Sequence, residues 1–430
     1  MLLLLLSGRH AFAAAPELAS TSAVLMDADT GQILYEKNLD RAMHPASITK
    51  IMTILLAVEN SKPHQQVIVG EDAVMSLPVG TSNIGLQPGE LVTMEELLYA
   101  AAMMSANEAC NIMAEAIAGS NEAFVAAMNQ RAQAIGCTNT HFANPHGLTA
   151  ESHYSSARDM AMITREAMQN KEFRKYFGAV TWEMGPTNKA DEPRYFTTQH
   201  EMLWGSSHYY EGADGGKTGY TSAALNTLVT SATRDDRRLI AVVMQSESAT
   251  LRYADTAALL DYGFDEFKAM TIARAQLISE EQKLSDGREG SVWVNIHPER
   301  DFHYLLHESL AAPEVRQTII APEVWSEDAT AKLKVTMAQN DASMYRQLGV
   351  MPLTISVISA DTAADHMLQA AQSFLKTLLK ILLIIIAVLM VLIVILRGRK
   401  LYKDRQRREW LRRQREAHMR HIRERSVNPK

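Results

Sequence analysis

A serine and a lysine three residues apart, Ser47 and Lys50, have the types and spacing to do chemistry together. They lie in the stretch His44-Pro45-Ala46-Ser47-Ile48-Thr49-Lys50-Ile51-Met52-Thr53. Pro45 suits a first helical turn, where its missing N–H leaves nothing unpaired. Ile48, Ile51, Met52, Leu55 and Leu56 recur at helical spacing and mark one buried face. Ser47 and Lys50 then project from the same side of that helix. A serine hydroxyl needs a base within hydrogen-bond reach before it acts as a nucleophile. A lysine can be that base only if its pKa is lowered, which burial and the positive end of a helix dipole both favour. Alone, Ser-x-x-Lys arises by chance about once or twice in a chain of this length, and a lone match is usually an ordinary amphipathic helix.

Two further motifs follow in order. Ser105-Ala106-Asn107 interrupts a helical pattern, where a loop can aim a hydroxyl and an amide into a cleft. Lys217-Thr218-Gly219 lies on an expected strand, flanked by glycines that let a substrate backbone come close. Lys217 adds a second positive charge, Thr218 a hydroxyl suited to a carboxylate, and Tyr220 a backbone N–H.

With these three motifs in this order the chain resembles the serine penicillin-recognising enzymes, whose motifs are Ser-x-x-Lys, Ser-x-Asn and Lys-Thr-Gly. More narrowly it resembles the low-molecular-mass D-alanyl-D-alanine carboxypeptidases, the peptidase S11 family. Ser105-Ala106-Asn107-Glu108-Ala109-Cys110, Asn139 to Leu148 and Asp214 to Thr221 support this, and the likeness covers about Ala23 to Phe267. It implies that Ser47 attacks the carbonyl between the last two D-alanines with Lys50 as base. It implies that Ser105 relays the proton to the leaving amine while Asn107 and Lys217 position the reacting groups. The N–H groups of Ser47 and Tyr220 are then the oxyanion hole, Thr218 holds the terminal carboxylate with Arg252 as the nearby arginine, and Gly219 belongs to the substrate-binding strand. Peptidoglycan stem peptides are the implied substrate and β-lactams the implied inhibitors, with no cofactor or metal. The implied fold class is α+β, a β-lactamase/transpeptidase-like catalytic domain with an antiparallel sheet and a helical subdomain.

The elements that must position these residues are legible in outline. Ser22 to Asn38 reads as a hairpin, Thr93 to Ala118 as a helix broken at Ser105-Ala106-Asn107, and Glu122 to Ile135 as another helix. Ser156 with Asp159 makes a plausible cap for the next. Strands follow Gly185, and a helix from about Ser248 to Tyr262 closes the unit. Strands at both ends with helices between imply one antiparallel sheet covered by helices. Alternating runs such as Val292 to Ile296, Lys332 to Thr336 and Leu353 to Val357 imply a small all-β domain.

The ends of the chain differ from its middle. Residues 1–15 read as a signal peptide, with Ala11-Phe12-Ala13 fitting a small-x-small cleavage pattern. The expected order is then a catalytic domain at 16–268, a β domain at 274–359, a helical connector at 360–377, a transmembrane helix at 378–396 and a basic cytoplasmic tail at 397–430. Leu378 to Leu396 is almost continuously apolar, and its nineteen residues reach roughly 28 Å, about one hydrocarbon core. Arg397, Arg399, Lys400 and Lys403 follow at once, which places that side in the cytoplasm. The tail from Arg397 holds 14 Lys/Arg against 4 Asp/Glu, whereas the remainder holds 29 against 45. Basic charge confined to one end argues against a nucleic-acid binder. Cys110 and Cys137 are expected as free thiols, and His303 and His307 lack the acidic partners a zinc site needs.

Two other functions share these motifs. A β-lactamase needs a glutamate to activate the deacylating water, and Glu166 with Asn170 superficially offers one, although the apolar face around it implies a surface or helix-packing residue. A catalytically idle binder of cell-wall peptides is the other, against which the intact Ser47, Lys50, Ser105, Asn107 and Lys217 count.

Overall fold

The computed structural model describes residues 15–285, 287, 291–310, 314–338, 345–361 and 363–426 of the chain. The expected signal peptide, Ala15 apart, and the last four residues of the tail lie outside the described residues. The chain divides into two compact units, one holding residues up to Glu280 with Ile296–Ala321 and Thr330–Thr354, the other holding Glu281–Asn295, Pro322–Ala329 and Ile355–Lys430.

The larger unit opens with the hairpin of β1 (Ser22–Asp27) and β2 (Ile33–Lys37). A 3-10 turn, Ala46–Thr49, runs straight into α1 (Lys50–Asn60). Short strands β3 (Gln66–Ile68) and β4 (Leu91–Thr93) pair around α2 (Glu71–Met75). The helical middle is α3 (Met94–Met103), α4 (Asn107–Ala118), α5 (Asn121–Ile135), α6 (Ala157–Gln169) and α7 (Lys171–Phe177). Side chains start these helices: Thr93 and Glu96 form a capping box on α3, and Ser120 and Ser156 cap α5 and α6. The Ser156 hydroxyl accepts the Asp159 N–H, as the spacing implied. After the hairpin of β5 (Thr181–Met184) and β6 (Arg194–Thr197) come β7 (Ala213–Thr221), β8 (Leu225–Arg234), β9 (Arg237–Ser246) and α8 (Ala249–Asp265).

The central sheet has the order β2-β1-β9-β8-β7, and every pairing in it is antiparallel. Strand alternation divides its side chains between two cores. Val24, Met26, Val229, Ile240 and Val242 face the helical middle, while Ala23, Leu25, Leu228, Leu239 and Val243 pack against Tyr253, Leu259, Leu260 and Phe264 of α8. Each such large aliphatic side chain taken fully from water contributes about 1.5–3 kcal/mol. Because both faces are covered, the middle of β9 reads as an unbroken apolar run.

Six strands fall in or next to the stretch read as all-β: β10 (Phe267–Ile272), β11 (Glu280–Ser285), β12 (Ser291–His297), β13 (Phe302–His307), β14 (Val315–Ile320) and β15 (Ala331–Ala338), with a seventh, β16 (Tyr345–Asp361), after them. Within the larger unit β10 pairs with β13, and β15 pairs with β14 and with β16. The Gln32 amide holds this region by donating to Leu305 O at 2.6 Å and accepting from Leu305 N at 2.8 Å. In the smaller unit one 64-residue helix, α9 (Ala363–Ser426), takes in the apolar run, most of the expected connector and the described part of the tail, while residues 360 and 361 of that connector end β16 instead. It is long and apolar enough to cross a membrane, and its apolar side chains from Leu378 to Leu396 are exposed.

The first described residues are fastened by one carboxylate. Asp255 of α8 accepts from Ala19 N at 3.0 Å, Ser20 N at 2.7 Å and Ser20 Oγ at 2.6 Å, and Ser20 is wholly buried. Removing the acceptor strands donors at about 1–3 kcal/mol each. Asp255→Ala is therefore expected to destabilise the protein by about 3 kcal/mol, read as a lowered midpoint in thermal or urea unfolding.

Candidate active site

The turn that carries Ser47 is held by backbone contacts that only glycine permits. Ala46 adopts a left-handed φ of 53°, and Thr227 Oγ1 on β8 anchors the turn by donating to Pro45 O at 2.9 Å. Gly147 also has a left-handed φ, 91°, and a Cβ there would lie 2.0 Å from Ala46 O. On the other side a Cβ at Gly219 would lie 2.9 Å from Ser47 N and 2.4 Å from Thr227 Oγ1. Ser47 therefore sits between a loop glycine and the β7 strand, with its N–H beside Gly219.

Lys50, the first residue of α1, is fully buried. Its Nζ lies 3.1 Å from Ser47 Oγ, 2.7 Å from Asn107 Oδ1 and 2.6 Å from His146 O. A neutral amine has two N–H bonds and one lone pair. The Asn107 and His146 oxygens can only accept, so they take both hydrogens and leave the lone pair for the Ser47 hydroxyl. Burial pushes the Lys50 pKa down to about 8, against a smaller opposing pull from Cys110 and Glu108.

Asn107 starts α4 immediately after the break expected at Ser105-Ala106-Asn107. Ser105 is buried, with a left-handed φ of 57°. Asn107 N donates to Ser82 O at 2.8 Å, and the next residue, Glu108, accepts from Ile84 N at 2.7 Å. The 82–84 loop is thereby fixed to the helix start that positions the Lys50 partner.

Strand β7 is an edge of the central sheet, so one of its sides is open to an added strand. Lys217 is buried on it and donates to Thr218 O at 2.9 Å. Burial, and then the charge of Lys50, hold its pKa well below the usual lysine range. Thr218 is buried beside it, whereas the Tyr220 side chain is exposed, leaving its backbone as the part that can serve the cleft. Arg252 is buried too, with Nη1 3.3 Å from Gly219 O and 3.5 Å from Asn226 Oδ1.

Ser47, Lys50 and Asn107 thus meet directly, and Gly219 abuts the Ser47 N–H. Arg252 joins the group through the Gly219 carbonyl. Two contributors were not legible in the motifs: the His146 carbonyl on Lys50 and the Thr227 hydroxyl behind the turn. Glu166 stands apart, paired to Arg131 at 2.8 Å, and Arg131 also holds Glu59 at 2.7 Å. Cys110 and Cys137 are free thiols. Cys110 is buried near Lys50, and burial pushes its thiol up to about 11. His303 bonds to Thr271 Oγ1 at 2.9 Å.

Residues 9–248 match the peptidase S11 family, described as D-alanyl-D-alanine carboxypeptidase. The chain is 37% identical over 273 residues to the D-alanyl-D-alanine carboxypeptidase DacF of Bacillus subtilis, covering 62% of this chain and 68% of that one. It is 35% identical over 287 residues to DacC of Escherichia coli, covering 65% and 69%. The solved D-alanyl-D-alanine carboxypeptidase DacD of Francisella tularensis superposes with a TM-score of 0.59 at 26% identity, covering 80% of this chain and 95% of that one. The Streptomyces K15 DD-transpeptidase superposes with a TM-score of 0.55 at 28% identity, covering 58% and 99%. The chain belongs to the peptidase S11 family, the serine-type D-alanyl-D-alanine carboxypeptidases.

Proposed function

We propose that residues 16–268 carry this carboxypeptidase activity through Ser47 as nucleophile and Lys50 as its base. The observation that carries the reading is the buried Lys50 Nζ, held by two acceptor-only oxygens and 3.1 Å from Ser47 Oγ. Ser47 Oγ attacks the carbonyl between the two D-alanines as Lys50 Nζ takes its proton. The N–H groups of Ser47 and Tyr220 receive the oxyanion. Collapse expels D-alanine, whose amine takes the proton from Lys50 by way of Ser105. Water then attacks the ester, with Lys50 again accepting the proton. Lys217 and Thr218 bind the terminal carboxylate, and Arg252 orients the Gly219 end of the strand. The substrate carboxylate also offsets the mutual repulsion of Lys50 and Lys217. Peptidoglycan stem peptides are the substrate, and a β-lactam acylates the same serine. Glu166, tied to Arg131, supplies no deacylating base, which favours this reading over a β-lactamase.

Intact-mass measurement after incubation with penicillin tests the nucleophile. The wild-type protein gains one penicilloyl group, Ser47→Ala gains none, and Lys50→Ala binds without acylation. An adduct on Ser47→Ala protein overturns the assignment.

The base titrates in a stated direction. Its active form is the neutral amine, and its pKa is about 8. Acylation is therefore expected to rise about tenfold per pH unit below 8 and to level off above it. Stopped-flow acylation by a chromogenic β-lactam across that range reads the profile; a flat profile removes Lys50 as base.

We further assign Leu378–Leu396 as a single span of the cell membrane, with the catalytic unit outside and the basic tail in the cytoplasm, following export by the leader at residues 1–15. The exposed apolar surface and the adjacent Arg/Lys cluster support this. Tags after Pro16 and after Lys430 test it on intact spheroplasts. External protease is expected to remove the first and spare the second; loss of both overturns the orientation.

A further inference from the structure

Where the apolar run of α9 gives way to its basic stretch, one side of the helix forms a groove lined by Leu396, Arg399, Lys400, Tyr402, Lys403 and Asp404, with open space beside Gly398. Leu396, Arg399, Tyr402 and Lys403 recur at three- and four-residue spacing, within a sector of roughly 120°. Asp404, the one acidic residue of the lining, lies roughly 100–140° round the helix from Arg399 and Lys403.

The donors of this groove are unspent. Arg399, Lys400 and Lys403 have no ion-pair partner among the described residues; the ion pairs of the tail lie further on, Arg405–Glu409 at 3.7 Å and Arg412–Glu416 at 3.3 Å. Tyr402 Oη accepts from Gln406 Nε2 at 3.0 Å, which leaves the phenol hydrogen for another acceptor. Leu396 and Tyr402 are exposed, so an apolar foot and a polar rim face outward together.

The depth of the groove selects its occupant, on the single-span reading given under Proposed function. The headgroup layer beyond the hydrocarbon is about 5–8 Å thick on each side. Arg399 and Lys403 stand roughly 5 and 11 Å past Leu396 along the helix axis. Side chains on a helix tilt toward its N-terminus, here the membrane side, and long cationic ones extend to the headgroups. Both cationic heads therefore reach the level of the lipid phosphates. The Arg399 fork takes two phosphate oxygens at once, and Lys403 adds a point charge. A zwitterionic lipid brings a cation of its own to this cationic site, whereas an anionic one brings none. A nucleic acid or an acidic protein has the charge, but it has no chain for Leu396 and must enter the headgroup layer to meet Arg399.

We infer that this groove binds one anionic phospholipid of the cytoplasmic leaflet. Arg399, Lys403 and the Tyr402 hydroxyl hold its phosphate, and an acyl chain lies along Leu396. The site is on the far side of the membrane from the catalytic unit and takes no part in the reaction. The inference rests on the single-span reading.

The test uses the full-length protein in phosphatidylcholine vesicles at about 0.1 M salt, with spin-labelled phosphatidylglycerol or spin-labelled phosphatidylcholine as the probe. Electron spin resonance reads the fraction of each lipid immobilised against the protein. The wild-type protein is expected to hold phosphatidylglycerol about fivefold better than phosphatidylcholine. Arg399→Gln with Lys403→Gln brings that ratio to about one, and Tyr402→Phe lowers it about twofold. Arg412→Gln with Arg413→Gln leaves it unchanged, and every variant keeps wild-type acylation by penicillin. A wild-type ratio near one overturns the proposal. So does an equal drop in the Arg412/Arg413 variant, which marks diffuse attraction by the whole tail rather than a site. Displacement of the labelled lipid by glycerol phosphate or by a short oligonucleotide gives the groove to a soluble phosphate and also overturns it. An immobilised fraction missing for both lipids shows that α9 does not span, which overturns the reading beneath rather than the choice of lipid.

Discussion

A lysine amine taken wholly out of water and set beside a serine hydroxyl is the constraint around which this structure is arranged. Burial moves the Lys50 pKa from 10.5 to about 8. At pH 7 the folded state therefore bears a penalty of about 3 kcal/mol that an exposed lysine does not, because the unfolded chain binds the proton more tightly. That penalty is complete below the folded value and is relieved as pH rises toward 10.5. Two apolar cores and both covered faces of the sheet offset it. The Asn107 and His146 oxygens reduce it further by accepting hydrogen bonds from the protonated amine that prevails at pH 7.

Placing an amine within hydrogen-bond reach of a serine is of little use unless the serine backbone is also held. Here the holding elements lie far apart in sequence. Gly147 comes from a loop between helices, Gly219 from the edge strand, and Thr227 from the strand beside it. Both glycines approach so closely that a single added methyl group meets backbone atoms or the Thr227 hydroxyl. The left-handed conformations of Ala46 and Ser105 mark the same tightness. Non-glycine residues keep such backbone only when surrounding contacts over-determine it.

Side-chain chemistry and periodicity made much of this readable from the amino acids alone. Ser47, Lys50 and Asn107 meet through their own side-chain groups, and three motifs in one order point to them. The helix break at Ser105-Ala106-Asn107 and the Ser156 cap follow from local rules, so they appear where the pattern put them. The His146 carbonyl was not readable, because every residue has a carbonyl and only tertiary folding selects this one. The Arg131–Glu166 pair was equally hidden: periodicity located the helix face but not the cation across from it. The bulge at Gln245 of β9 was invisible for a related reason, since a bulge is a matter of register between strands and leaves little trace in either strand alone. In α9 the apolar and charged stretches looked like separate segments, yet the backbone runs through them without a stop, because there is no proline and a single glycine, Gly398, between Leu378 and Lys403.

The position of β1 bears on how the chain reaches this state. It lies inside the sheet, with β2 on one side and β9 on the other, and pairs Ala23 with Val243. A strand from the very start of the domain therefore waits for one from its end. Until β9 exists, the inner edge of β1 has no partner and the sheet cannot close. Such long-range pairing makes folding slow, because loop-closure entropy is lost before the contacts that reward it. An N-terminal hairpin emerging from the ribosome cannot complete a stable half-domain by itself. The topology thus postpones assembly of the Ser47 turn, which packs against β7 and β8, until the strands from the far end of the domain have been synthesised.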